Sequence, residues 1–476
     1  MYFTRDVEEK GNAKMSDSTA PVDHPSTQTI PGPGGEEVIE ALTEFSTRPL
    51  VFLENSVEKY GRLSAIGMGD ASTVFLHDAE DVEQVLRLDM RSYGMASLTQ
   101  MLNEPLLGNS IPVTPDHLYW QQLHKIMLPM FTPKMLKQYF DRTADAIEQE
   151  VSELDALASR GDTFDMEEKI REGVFDALIR TIFTRGLDRE EIPGILSRFI
   201  SACTYMNARY LSLNPAYEPQ NDAERQGIED LEELNKRVYE LIDYRKANRV
   251  DEPEDMLDVL LAAQLDDGLS LSDKELRDNV MALLFGGQET TPTEITWAFA
   301  LLAANPEKRD RLLEEVDRVL GDRRPTFQDL DKLDYARMVF DEAMRLYPAF
   351  SFVGREALVD TEIGGYPINK GTSLAFVGWT IHRDPRWWPS PEEFIPERHT
   401  KEAMKDRPKC SIVSFGYGQR RCIGERVGRM EGTLMLAMAH QKYTFDLVDG
   451  KLPDPIVRMS IHPEGGLKVR ATKRNK

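Results

Sequence analysis

The sequence predicts an α-rich α+β fold, one large helical domain with small β-sheets at its edges. Three observations predict it. From about residue 117 to 347, apolar residues recur at helical spacing, as in TADAIEQEVSELDALA and PEKRDRLLEEVDRVLG. Strand-like runs appear only outside that block: LSAIGM and STVFLHD before it, TEIGGYPI, TSLAFVGWT and GLKVRAT after it. No internal repeat or Gly/Ser linker divides the 476 residues. Length alone suggests about three domains, but the unbroken pattern argues for one, over residues 35–476. Residues 1–34 are polar, rich in Pro, Ser and Thr, and end in IPGPGG, which reads as a flexible leader and a turn.

Within the helical block, Asn305-Pro306 restarts a helix with proline in its first turn. Before it, Asp278 to Ala304 reads as one long helix interrupted by FGGQETTPT. At ~1.5 Å per residue such a helix spans about 40 Å, enough to cross a domain. Gly286 and Gly287 each cost about 1 kcal/mol relative to alanine. Pro292 cannot bond the carbonyl of Gln288, and its ring crowds it. Both features loosen the helix at one point and predict a groove where a small molecule can lie. Glu289-Thr290 follows at once, and an acid beside a hydroxyl is what proton delivery to a reacting group requires.

Bulk properties narrow the function. Apolar residues make up 41% and charged residues 29% of the chain, as in a soluble globular protein. The net charge of −23, from 58 basic and 81 acidic residues, argues against nucleic acid and anionic membrane surfaces as partners. Three cysteines, Cys203, Cys410 and Cys422, do not make a disulfide framework, so a reducing cytoplasm is expected. The N-terminus has no apolar signal-peptide core. No apolar run reaches the ~18 residues of a membrane span.

The most informative stretch is SFGYGQRRCIGER, Ser414 to Arg426. Gly416, Gly418 and Gly424 allow tight turns and close approach to something flat or bulky. Cys422 precedes an apolar helical pattern, VGRMEGTLMLAMAH, and has Arg420 and Arg421 beside it. A helix N-terminus and positive charge lower a thiol pKa and favour the metal-binding thiolate. With no second Cys or His at ligand spacing, a structural zinc site is not indicated. A lone thiolate suits a metal whose other positions are already filled, as in haem.

At this point the chain resembles the cytochrome P-450 family. Phe415, Gly418, Arg420, Cys422 and Gly424 match F-x-x-G-x-R-x-C-x-G, that family's haem-binding loop. The resemblance covers about residues 35 to 470. The general account of haem under thiolate ligation is drawn from this family itself. By resemblance, Cys422 is the axial iron ligand of haem b, Phe415 packs near the sulfur, and Arg420 pairs with a haem propionate. GGQETT matches [AG]-G-x-[DE]-T-[TS], which makes Glu289 a proton relay and Thr290 a hydrogen-bond partner of dioxygen. Glu342-Ala-Met-Arg345 resembles the family's E-x-x-R, with Arg398 of Pro396-Glu397-Arg398 as the third member of a structural charge network. Arg355 stands where a propionate-binding arginine is usual. Trp120-x-x-x-His124 resembles Trp-x-x-x-Arg, with His124 in place of the arginine; Lys125 is the alternative source of that charge.

The resemblance implies a monooxygenase that inserts one atom of O2 into a lipophilic small molecule: a terpenoid, a fatty acid or a macrolide-type product. Peroxide-driven or rearranging relatives tend to lose the acid–alcohol pair present here, and a haem sensor or carrier would show no substrate-dependent spin shift and no reductase-driven turnover. The 54 residues after Cys422 leave no room for a fused reductase. A separate ferredoxin or flavodoxin system, fed indirectly by NAD(P)H, is therefore expected. Lys401 to Arg429 holds eight basic and three acidic residues, a local +5, and is the expected docking face, extended by Lys125, Lys134 and Lys137. Leu283, Phe285, Gly286, Gln288, Phe350, Phe352, Val353 and Ile461 are expected to line the substrate pocket. A monomer without a transmembrane anchor is expected.

Overall fold

The computed structural model describes residues 29–67, 72–87 and 91–475. The expected leader therefore lies mostly outside the described residues. Its described end is packed rather than flexible. Ala65 donates its N–H to the Pro31 carbonyl, and Ile30 rests against the smaller of two apolar clusters.

The N-terminal part runs α1 (Glu37–Thr47), α2 (Pro49–Tyr60), the hairpin β1 (Leu63–Ile66) and β2 (Thr73–Leu76), α3 (Ala79–Arg87), β3 (Tyr93–Gly94), α4 (Ser97–Leu107) and α5 (His117–Met127). The helical block follows as α6 (Pro133–Arg160), a short β4 (Thr163–Asp165), α7 (Met166–Ile182), α8 (Ile192–Leu211), α9 (Asp222–Ala247) and α10 (Met256–Ala262). Next come α11 (Asp273–Phe285), α12 (Thr291–Ala304), α13 (Pro306–Val319) and α14 (Asp334–Leu346). The C-terminal part holds β5 (Val353–Ala357), the hairpin β6 (Thr361–Ile363) and β7 (Tyr366–Ile368), β8 (Ser373–Phe376) and α15 (Gly378–Ile381). It closes with α16 (Lys401–Met404), α17 (Glu425–Lys442), β9 (Tyr443–Leu447), the hairpin β10 (Pro455–Val457) and β11 (Ile461–Pro463), and β12 (Lys468–Lys473).

The expected architecture is present: helices dominate and the sheets are small. One sheet has five strands in the order β1-β2-β8-β5-β3, and another has the order β4-β12-β9. Strands from the two ends of the sequence thus pair, β2 with β8 in parallel and β4 with β12 antiparallel. A large apolar core reaches from Phe45 to Ala471, with a satellite cluster under the five-stranded sheet.

The long central helix departs from expectation in two ways. It starts five residues earlier, at Asp273, because Ser272 and Glu275 form a capping box. Its interruption is a segment of π-type winding, Gly286–Thr290, between α11 and α12. Such wide turns recur at functional sites in helices. Gly287 permits it to lie against α7, since a Cβ there would come within 2.6 Å of the Leu178 side chain. Farther on, TSLAFVGWT is strand only to Phe376 and then turns helical in α15.

Candidate functional site

The cysteine loop is held by backbone bonds. Cys422 donates its N–H to the Phe415 carbonyl at 2.8 Å, and Gly416 donates to Val413 at 2.8 Å. Gly416 and Gly418 have φ of 69° and 72°, in the left-handed region. A Cβ on Gly418 would run into the Leu86 carbonyl. Gly424 is different: its φ is −84°, which any residue adopts. The thiol also departs from expectation. Burial pushes Cys422 up, and the N–H groups of Gly424 and Glu425 offset this only in part. Arg421 is drawn off by Glu425, at 2.7 Å, and Arg420 by the Thr114 carbonyl, at 2.9 Å. Cys422 nevertheless keeps accessible surface. A desolvated group with open surface faces an interior hollow rather than bulk water.

Arg420 and Arg355 flank this region. Arg355, on β5, is buried, donates to its neighbour's carbonyl (Gly354, 2.8 Å) and lies over the Phe376 ring. Burial pushes it down to about 10. Burial, and then the charge of Arg355, push Arg420 down to about 9. Among the described residues no carboxylate forms an ion pair with Arg355. A buried guanidinium beside a half-buried one that it depresses fits a ligand carrying carboxylates. The Arg420 guanidinium also sits 4.8 Å from the Trp120 ring centroid, and His124 stacks on the same ring at 4.9 Å. Burial lowers the His124 pKa, which favours a neutral hydrogen-bonding ring rather than a cation. Lys125 is not the substitute charge, since it is exposed and bound to Asp266 at 3.0 Å.

Across the hollow stands the π segment. Leu283, Gly286, Gly287 and Thr290 keep accessible surface and recur at three- and four-residue spacing, so they share one face of the helix. A Cβ on Gly286 would meet nothing within 4 Å. Thr290 Oγ1 donates to the Gly286 carbonyl at 2.6 Å. Glu289 turns the other way. Its carboxylate accepts from Ser460 Oγ at 2.8 Å and lies 3.0 Å from His462 Nε2. Burial raises this carboxyl, but the hydrogen bond and charge of His462 overturn that and hold it below its usual range.

The donor set is thus one thiol, a buried and a half-buried arginine, an aromatic wall and an acid–alcohol pair. The cytochrome P450 family model matches residues 31–469. The chain is a cytochrome P450. It is 28% identical to cyclooctat-9-en-7-ol 5-monooxygenase of Streptomyces melanosporofaciens, over 93% of this chain and 95% of that one. It is 29% identical to cyclooctatin synthase of the same organism, over 90% and 92%. It is 28% identical to the chloroplastic protein LUTEIN DEFICIENT 5 of Arabidopsis thaliana, over 88% and 73%. P450s of this kind are haem-thiolate monooxygenases, and this chain is an oxidoreductase of that class.

In this P450 the charge network extends beyond its three expected members. Glu342 pairs with Arg345 through two bonds of 2.8 Å and with Arg398 at 3.3 Å. His399 adds a fourth contact, at 2.8 Å. Burial alone would raise Glu342, and these partners hold it below its usual range. Arg345 also donates to the carbonyls of His382 and Pro391. His382 Nε2 then accepts the Val413 N–H at 2.8 Å, while Nδ1 donates to Arg345 O at 3.2 Å. One histidine therefore ties the network helix α14 to the cysteine loop. Nothing in the local run HRDPRWWP, which begins at His382, marks this bridge.

The expected substrate lining is only partly assembled. Leu283, Gly286, Phe350, Phe352 and Val353 retain accessible surface, with Gly286 and Phe350 exposed. Gln288 is fully buried and off the open helix face, with neither amide atom bonded within the protein. Ile461 is fully buried in β11, where its carbonyl accepts the Trp297 indole, and Phe285 is buried. Those three do not line the hollow. Phe352 instead leads into an aromatic group with Phe45, Phe75 and Tyr210, which no local pattern announced.

The basic face is smaller than expected. Lys401, Lys405, Lys409, Arg421 and Arg426 are exposed. Arg407 stacks on Trp388, Arg420 points inward, and Arg429 pairs with Asp341 and Glu425. Among the described residues no helix is long and apolar enough to cross a membrane.

Proposed function

We propose that this P450 hydroxylates or epoxidises a lipophilic, polycyclic terpenoid-type molecule, using O2 and electrons from a separate ferredoxin or flavodoxin system. The observation that carries the reading is the constellation itself: a hollow-facing thiol, a buried Arg355 with no ion-paired carboxylate among the described residues, the half-buried Arg420 beside it, and an open helix face ending in Thr290. Haem b, when bound, supplies the iron chemistry that activates O2. Cys422 is the residue to ligate it. Arg355 and Arg420 are placed to neutralise its propionates, with Trp120 and His124 beside them, and Phe415 covers the sulfur side.

The protein's own groups do the rest. Gly286 leaves room against the helix for dioxygen. The Thr290 hydroxyl, parked on the Gly286 carbonyl, can turn its proton toward that space. Glu289 is the acid that recharges it. The relatives named above support the terpenoid class, and the apolar lining of Leu283, Phe350 and Val353 suits it. The remaining exposed lysines, together with Lys134 and Lys137, form the docking face for an acidic electron donor. The chain acts as a single haem domain over 35–476, as a cytoplasmic monomer.

The reduced protein with carbon monoxide tests the cofactor. The Soret band is expected at the red-shifted position of thiolate-ligated haem, and Cys422→Ser should abolish it. Spin-shift titration with cyclooctat-9-en-7-ol, a long-chain fatty acid and a macrolide then tests the substrate class. A shift only with the fatty acid would refute the terpenoid reading.

A further inference from the structure

Glu289 does not stand alone. His462, in the β10–β11 hairpin, lies between two carboxylates: Glu289 at 3.0 Å from Nε2 and Glu167 of α7 at 2.8 Å from Nδ1. Ser460 Oγ is 2.8 Å from Nε2 and also bonds Glu289, at 2.8 Å. Arg171, one turn along α7, donates to Glu167 Oε1 at 3.2 Å and lies 3.0 Å from His462 Nδ1, so once the ring is protonated both donors turn to Glu167. Glu289 and His462 are buried, but Arg171 keeps 11% of its side-chain surface and Glu167 keeps 9%. Arg171 also lines a surface cleft of 610 Å³ between α6, α7 and the start of α8. Glu167, which keeps some surface, His462 and Glu289 therefore form a hydrogen-bonded chain that ends at the acid beside Thr290, with Arg171 between this chain and the cleft.

We infer that His462 is the proton-supply residue of this site, an imidazolium held between Glu167 and Glu289 that charges Glu289 and is recharged from the cleft beside Arg171. The inference rests on the monooxygenase reading. His462 is a positioning residue, since it acts through Glu289.

Charge decides the protonation state. The groups acting on His462 are Glu167 and Arg171 from α7 and Glu289 from the π segment; farther out, Arg458 of its own hairpin acts on Glu167, and Cys203 of α8 feels Glu289 and Arg171. A protonated ring balances the two acids against Arg171. A neutral ring would leave two buried carboxylates sharing one arginine, which is costly. Burial lowers the His462 pKa, yet its bonds to Glu167 and Glu289 overturn this and raise it above 6.5. The ring thus holds its proton to higher pH than an ordinary imidazole and loses it as pH rises through that raised value.

In the transfer, the Nε2–H bond breaks and an O–H bond forms on Glu289 Oε1. The ring is left neutral, keeping its remaining proton on Nδ1, which donates it in a hydrogen bond to Glu167 Oε1. A half-turn brings the bare nitrogen to the Glu167 side, where a proton from cleft water restores the cation. Glu289 passes its proton on by rotating toward Thr290, and no electron moves in these steps.

The test uses holoprotein with histidine labelled by nitrogen-15, comparing wild type, His462→Gln, Glu167→Gln and Glu289→Gln. Nuclear magnetic resonance, with His462→Gln assigning the signal, should show His462 titrating above the ordinary imidazole range, and lower in Glu289→Gln. Oxygen uptake driven by a surrogate ferredoxin and its reductase, with cyclooctat-9-en-7-ol as probe, should fall in wild type as pH rises through that same value. In His462→Gln it should be about tenfold slower at neutral pH and flat with pH, with an enlarged solvent deuterium isotope effect. If His462→Gln does not fold, Glu167→Gln should shift the wild-type profile to lower pH. Wild type with the thiolate carbon monoxide band, but a ring titrating at or below the ordinary range or a profile unmoved by the variants, overturns the relay alone. Wild type without that band overturns the oxygenase reading and the relay with it.

Discussion

Replacing Arg355 with methionine should affect the haem-free and haem-bound protein in opposite directions. In the haem-free chain the guanidinium is buried, pushed down from its ordinary value to about 10, and has one backbone carbonyl as its oxygen acceptor. A displacement of that size costs the charged form about 3 kcal/mol. The penalty is present in full below pH 10 and shrinks above it. Methionine removes the charge and places a flexible apolar chain against Met95 and Phe376, the groups Arg355 now touches. Losing one charge-assisted hydrogen bond returns about 1.5 kcal/mol, so the haem-free variant should be more stable by about 1–2 kcal/mol. In the holoprotein the same change strands a buried propionate, which costs about 3–5 kcal/mol. Haem should then leave roughly a hundredfold faster or more. Urea unfolding of the haem-free chain, followed by circular dichroism, gives the first sign. Transfer of haem to an excess of a haem-scavenging globin gives the second. A variant that destabilises the haem-free chain and holds haem as long as wild type would refute the assignment of Arg355 to an anionic cofactor.

Glu342→Gln should cost about 3–5 kcal/mol, because it leaves Arg345 buried against the Arg398 charge without their common acid; calorimetry of the holoprotein reads this as a large fall in melting temperature. Burial holds His382 down to about 3 and His77 and His440 down to about 4. Unfolding frees them to bind protons, so stability should be full above pH 6.5 and fall steadily below it. Each of the latter two alone is worth about 3 kcal/mol by pH 4. Urea midpoints that stay level from pH 7 to 5 would contradict this. Glu431 is buried, pushed up to about 8 by burial, and one of its oxygens is unbonded. Glu431→Met should therefore stabilise by about 3 kcal/mol at pH 7, with the gain vanishing near pH 4.5. Thr290→Ala removes the hydroxyl parked on Gly286, and should lower product formed per reductant consumed by about tenfold or more while substrate spin shifts persist.

The sequence by itself carried the fold class, the cysteine loop, the acid–alcohol pair and the Glu342–Arg345 helix. These depend on local order: helical spacing, glycines where the backbone must turn, residues three or four apart on one helix. It also carried the disruption at Gly286–Gly287, because glycine and proline act on the backbone they occupy. Only the tertiary structure decided the rest. Gln288 and Ile461 left the pocket because helix phase and strand pairing, not nearness in sequence, set which way a side chain faces. The thiol rose rather than fell because burial outweighed two arginines that found other partners. His462 reaches Glu289 across 173 residues, and His382 joins α14 to the cysteine loop across 31. No local pattern marks such pairs, since a histidine's neighbours in space, and hence its charge, exist only once distant segments have packed together.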